Sequence, residues 1–87
     1  MSMIEYDEYK QKLLAQKPIL EELKQALNID GAREEYARLQ DEGAQDGFWN
    51  DMEHSQKVAQ QIRRLENKIH AHDKLCSDWE DAMTLCE

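Results

Sequence analysis

From Val58 onward the packing positions recur without a slip. Val58, Ile62, Leu65, Ile69, His72, Cys76, Trp79, Met83 and Cys86 stand four and three residues apart in strict alternation. That spacing is the seam of a helix lying along a partner. No Gly or Pro follows Gly47, so the pattern predicts one helix from about 51 to 86, roughly 50 Å long at ~1.5 Å per residue. Asn50, with Glu53 three residues on, reads as an Asn-type capping box at its start. A second stripe, Ala71, Leu75, Ala82 and Leu85, runs along the C-terminal half. One neighbouring helix needs one stripe, so two stripes imply contact from two sides and mark these four residues as a partner surface.

The first segment repeats the spacing with Tyr6, Tyr9, Leu13, Gln16, Leu20, Leu23 and Leu27, and Leu14 and Ala26 widen the stripe. Pro18 conflicts with it, because an interior proline removes a backbone donor and clashes one turn back, at about 3 kcal/mol. The seam keeps its register across Pro18, which predicts a kink near Leu14–Pro18; a break into two helices is the alternative. Asn28–Asp30 then punctuates the chain, with Asp30 as a natural N-cap. A second helix over about 30–44 carries Ala32, Tyr36, Leu39 and Gly43 on one face and ends at Gly43, before an Asp46–Gly47 turn. The fold class is therefore all-α: an antiparallel three-helix bundle of coiled-coil type, built as a single domain over residues 1–87.

Phe48 and Trp49 sit side by side in the turn, in a chain with one Phe, two Trp and three Tyr. With the second helix antiparallel to both neighbours, the turn is expected beside Tyr6 and Tyr9. Phe48 and Trp49 then close that end of the bundle as a plug. The competing reading is a hot spot for a partner.

Composition narrows the function. Charged residues make up 34% and the net charge is −8, which repels phosphates, and the Lys and Arg are spread along the chain. A protein partner is expected, with no direct nucleic-acid site. No apolar run approaches a membrane span and the N-terminus has no hydrophobic signal core, so a soluble cytoplasmic protein is expected. Cys76 and Cys86, ten residues apart, lie ~15 Å apart on one helix and cannot pair there; they read as packing residues in a reducing compartment.

Chemistry-bearing residues form no constellation. His72 and Cys76, at i and i+4, make half of a zinc site with no second pair nearby, and packing on the seam is the better reading. The serines and threonine lack a base suited to nucleophilic catalysis, and no glycine-rich phosphate loop occurs. No enzyme activity, metal or cofactor is expected.

The stretch "DGAREEYARLQDEGAQDGFWNDMEHSQKVAQQIRRLENKI" goes further. It resembles the N-terminal domain of the bacterial peptide chain release factor 2 family, within the class I release factors. The signature is Phe48, Trp49, Asn50 and Asp51, followed by Ser55, Gln56, Lys57 and Val58 at the opening of a long helix. "DWEDAMTLCE" also resembles the end of that helix, and the first segment agrees in type and length. Asp46 and Gly47 stand where the family usually has a proline and an acid. The resemblance implies translation termination, with the ribosome (a stalk-base protein) and the remaining domains of the same chain as partners. The family's stop-codon reader and hydrolysis loop are not here, since the chain has no Ser-Pro-Phe and no Gly-Gly-Gln. It implies a ribosome-facing leading domain of a larger factor, cut inside its domain, whose bare second stripe favours self-association. Two other readings stand beside it: a free-standing helical adaptor or coiled-coil scaffold, and a release-factor-like rescue or regulatory protein.

Overall fold

The structure, a computed structural model, describes residues 3–86. Helix α1 spans Met3–Ala26, α2 Ile29–Gly43 and α3 Met52–Cys86, with a single 3-10 turn over Phe48–Asn50 before α3. No strand occurs among the described residues, and the all-α class is borne out. So is the unbroken long helix, which opens one residue later than expected. The chain divides into two compact units: Asn28–Ala71, and Met1–Leu27 with His72–Glu87.

In the 28–71 unit, α2 starts from Asn28, whose backbone is left-handed at φ 49, ψ 55. Asn tolerates that region better than most residues because its short polar side chain fits there. Its carbonyl accepts the Ala32 N–H at 2.9 Å, the first bond of the helix. The expected cap at Asp30 therefore moves two residues back: Asp30 lies within the first turn, where its charge suits the helix dipole. The Asn28 side chain lies over Gly31, where any Cβ would sit about 2.4 Å from its amide nitrogen, so glycine makes room for it.

The core of this unit is Ala32, Leu39, Phe48, Val58 and Leu65, with Tyr36, Ile62 and Ile69 packed against it. These are the predicted inner faces of α2 and α3. The pairing is antiparallel. Glu42 meets His54 at 2.6 Å, Glu35 meets Gln61 at 3.4 Å, and the Tyr36 hydroxyl donates to Glu66 at 3.0 Å.

The start of α3 is capped by Asp51 and not by Asn50. Asp51 Oδ1 accepts the His54 N–H at 3.1 Å and its carbonyl accepts the Ser55 N–H at 2.9 Å. Asn50 is taken up by the 3-10 turn, its N–H bonded to the Gly47 carbonyl. Moving the cap by one places His54, not Glu53, at the third helical position, so the predicted capping box does not form. Gly47, at φ 80, supplies the left-handed step that begins the turn.

In the other unit, α1 runs antiparallel to residues 72–86 of α3. Trp79 Nε1–H donates to the Leu13 carbonyl at 2.7 Å, while Tyr6, Tyr9 and Leu13 share a recess with Ala82, Leu85 and Cys86. Helix α1 continues through Pro18 without a break. None of its side chains is fully buried; Leu13, Leu20, Leu23 and Leu27 are half-buried on the predicted seam.

The expected plug is corrected here. Phe48 packs within its own unit, and Tyr6 and Tyr9, both exposed, line the recess with the last turns of α3. A seam of alternating three and four spacing fits any similar seam and carries no address. The tyrosines therefore took a partner that the pattern could not name.

Candidate docking surfaces

Three surfaces hold the residues singled out by the sequence. The first is the turn carrying Phe48, Trp49, Asn50 and Asp51. Phe48 is buried, 9% exposed, and joins the core. Its ring stands edge-on to Trp49 with centroids 4.8 Å apart and edge-on to His54 at 5.7 Å. Trp49 turns the other way and is 60% exposed. It is nonetheless tied down, since its Nε1–H donates to the Gly43 carbonyl at 3.2 Å, just where α2 ends and carbonyls lack helical partners. Met52, at the start of α3, is 64% exposed. Of the two rings, Phe48 thus belongs to the core of its own unit and Trp49 lies on the surface.

Charge around this corner is one-sided. Between Arg38 and Lys57 the chain holds Asp41, Glu42, Asp46, Asp51 and Glu53 and no Lys or Arg. Some of these carboxylates have local partners: Glu42 is bonded to His54 and lies 3.9 Å from Arg38, and Glu53 lies 3.5 Å from Lys57. The net field remains negative, because each exposed pair screens only part of it.

The second surface is the recess between α1 and the end of α3, about 450 Å³ and lined by Tyr6, Tyr9, Leu13, Ala82, Leu85 and Cys86. The third is the predicted second stripe. Ala71, Leu75 and Leu85 are exposed and Ala82 is half-buried in the recess, whereas all nine seam residues from Val58 to Cys86 are buried or half-buried. Within the second stripe Ala71 and Leu75 face solvent, whereas Ala82 and Leu85 line the recess beside α1.

Of the chemistry-bearing side chains, His72 is buried on the seam, with Nε2 3.7 Å from Cys76 Sγ. Its Nδ1 makes no hydrogen bond among the described residues, and Asp73 Oδ1 lies 3.8 Å away. Cys76 and Cys86 are both free and half-buried. Among the described residues no three or more of His, Cys, Asp and Glu are grouped to hold a metal ion. No described helix is long and apolar enough to cross a membrane.

Sequence reasoning missed the Asp51 cap, the outward turn of Trp49 and the bond from Trp79 to Leu13. Only the first left a signal, since Asp is as good an N-cap as Asn and stands beside it.

The described residues thus form paired helices joined by short turns, with large apolar side chains exposed at Trp49 and Met52. Comparison with known proteins gives this chain a relative. The chain is similar to peptide chain release factor 2 of Petrotoga mobilis, 37% identical over 79 residues that cover 91% of this chain and 21% of the relative. It is also similar to release factor 2 of Rickettsia bellii, 31% identical over 78% of this chain and 18% of the relative, and of Saccharopolyspora erythraea, 29% identical over the same shares. The chain thus spans about a fifth of the length of the curated relatives it matches. No family model and no solved structure matches it.

Proposed function

We propose that this chain is the ribosome-facing helical arm of a translation termination factor of the release factor 2 type, and that it performs no chemistry itself. The observation that carries the reading is the similarity to release factor 2 across 91% of the chain, on a fold that offers rods and apolar corners. In this reading the chain is the truncated N-terminal domain of a larger factor. The partners are the ribosome, through a protein of its stalk base, and the remaining domains of the same factor, and the setting is the cytoplasm. An acidic surface suits a ribosomal protein partner, which is usually basic. The exposed stripe of Ala71, Leu75 and Leu85 is then the side on which another part of the factor, or a second copy of the isolated chain, would lie.

The length of α3 supports a mechanical role. A helix of 35 residues extends ~50 Å, and the buried Phe48 with the Asp51 cap roots its first turn. The test is co-sedimentation of the 87-residue chain with large ribosomal subunits, with full-length release factor 2 as competitor. Binding that the intact factor displaces supports the reading. Binding that it fails to displace, or none at low salt, overturns it in favour of a free-standing adaptor.

A further inference from the structure

We propose that the corner formed by Trp49 and Met52 is a docking site for an arginine-bearing segment of a protein partner. A mismatch between exposure and restraint carries the inference. Trp49 leaves 60% of its surface in solvent, although an indole is among the most favourable groups to bury. It is also tethered: Nε1–H is bonded to the Gly43 carbonyl, and the ring lies perpendicular to that of the buried Phe48 with centroids 4.8 Å apart. A ring present only to fill the core would face inward, as Phe48 does. An exposed ring that is already positioned loses little side-chain freedom when a partner lands on it, and Trp is the residue type most enriched among binding hot spots. Met52, three residues further along the chain, is exposed as well, at 64%, and is a flexible apolar side chain.

The chemistry of the occupant follows from the charge. Five carboxylates and no Lys or Arg lie between Arg38 and Lys57, so the corner attracts cations and repels nucleic-acid phosphates. Within cations, the indole face favours one that can stack and is weakly hydrated. A guanidinium does both, whereas an ammonium is a compact and strongly hydrated charge. Arginine is therefore preferred over lysine. This inference deepens the docking reading above. It rests on the chain being a docking arm and not on the identity of the assembly that receives it.

The test is a titration of the isotope-labelled 87-residue chain, followed by NMR, with an arginine-rich peptide, a lysine-rich peptide of equal length and a glutamate-rich control. The expected result is movement of the Trp49 indole N–H and of the amides over 46–53, while the Trp79 indole N–H stays still. The arginine peptide is expected to bind more tightly than the lysine peptide, and the glutamate peptide is expected not to bind. Trp49→Ala weakens the arginine peptide about thirtyfold, the size of a hot-spot residue. Should that variant lose its turn, the paired substitution Asp46→Asn with Glu53→Gln leaves the rings intact and is expected to weaken binding roughly threefold by removing attraction alone. Shifts spread over every acidic helix face, a static Trp49 indole, or equal affinity for the arginine and lysine peptides would overturn the proposal. Those outcomes leave the ribosome reading untouched, because its own test uses whole subunits and a competitor.

Discussion

Trp79 donates its indole N–H to the backbone carbonyl of Leu13 across 2.7 Å. The acceptor sits beside the weak point of α1. Pro18 has no N–H to offer the Leu14 carbonyl one turn earlier, and the carbonyl next to it takes a donor from another helix. The bond ties that turn of α1 to α3 where the helix's own ladder is short of a rung. Trp79→Phe keeps most of the ring and removes the donor. It should cost about 1 kcal/mol, lowering the melting temperature by roughly 4–8 °C in a domain of this size. An unchanged melt would mean that water replaces the bond at no loss.

The neighbouring rings Phe48 and Trp49 should behave as opposites. Phe48 is buried in the core and Trp49 is 60% exposed. Phe48→Ala leaves a cavity beside Ala32, Leu39 and Val58 and should cost about 3–5 kcal/mol. Trp49→Ala loses one exposed hydrogen bond and an edge contact, about 1 kcal/mol. Chemical denaturation of both variants checks the ordering. Equal losses would return Trp49 to the plug.

Asn28 holds its left-handed backbone with its side chain over Gly31. Asn28→Gly should be nearly neutral, because glycine adopts that conformation without steric cost. Asn28→Val should destabilise by about 1–2 kcal/mol, since a β-branched residue resists positive φ. Thermal melts of the two variants separate backbone strain from loss of the side chain.

Two adjacent residues compete for the cap of α3, and only Asp51 bonds the His54 N–H. Asp51→Ala should cost about 1 kcal/mol and fray the first turn, seen as faster exchange of the amides of His54 and Ser55. Asn50→Ala should leave those amides protected. The reverse order would put the cap back at Asn50.

The sequence carried the long helix because a strict alternation of four and three is a one-dimensional signal that needs no tertiary partner to be read. The same alternation gave the inner faces of α2 and α3, and all of Ala32, Leu39, Val58 and Leu65 are buried. The missed features are those that depend on geometry between elements. Which of Phe48 and Trp49 faces inward is decided by the 3-10 turn, not by their composition. Tyr6 and Tyr9 meet Ala82, Leu85 and Cys86 because seams of equal pitch are interchangeable, so spacing foretold that they pack but not on what. Of the candidate surface, the exposed stripe of Ala71, Leu75 and Leu85 was legible. The tethered exposure of Trp49 was not, because a backbone carbonyl holds it.

Helix α3 runs without interruption from Met52 to Cys86. Spin labels at the exposed positions Glu53 and Thr84, with Cys76 and Cys86 replaced by alanine, would measure it by pulsed electron resonance. Thirty-one residues of continuous helix predict a single narrow distance near ~46 Å between the two backbone positions, adjusted for label length. A distribution that is much shorter, or split into two populations, would show a helix that bends between its halves and would contradict the rod.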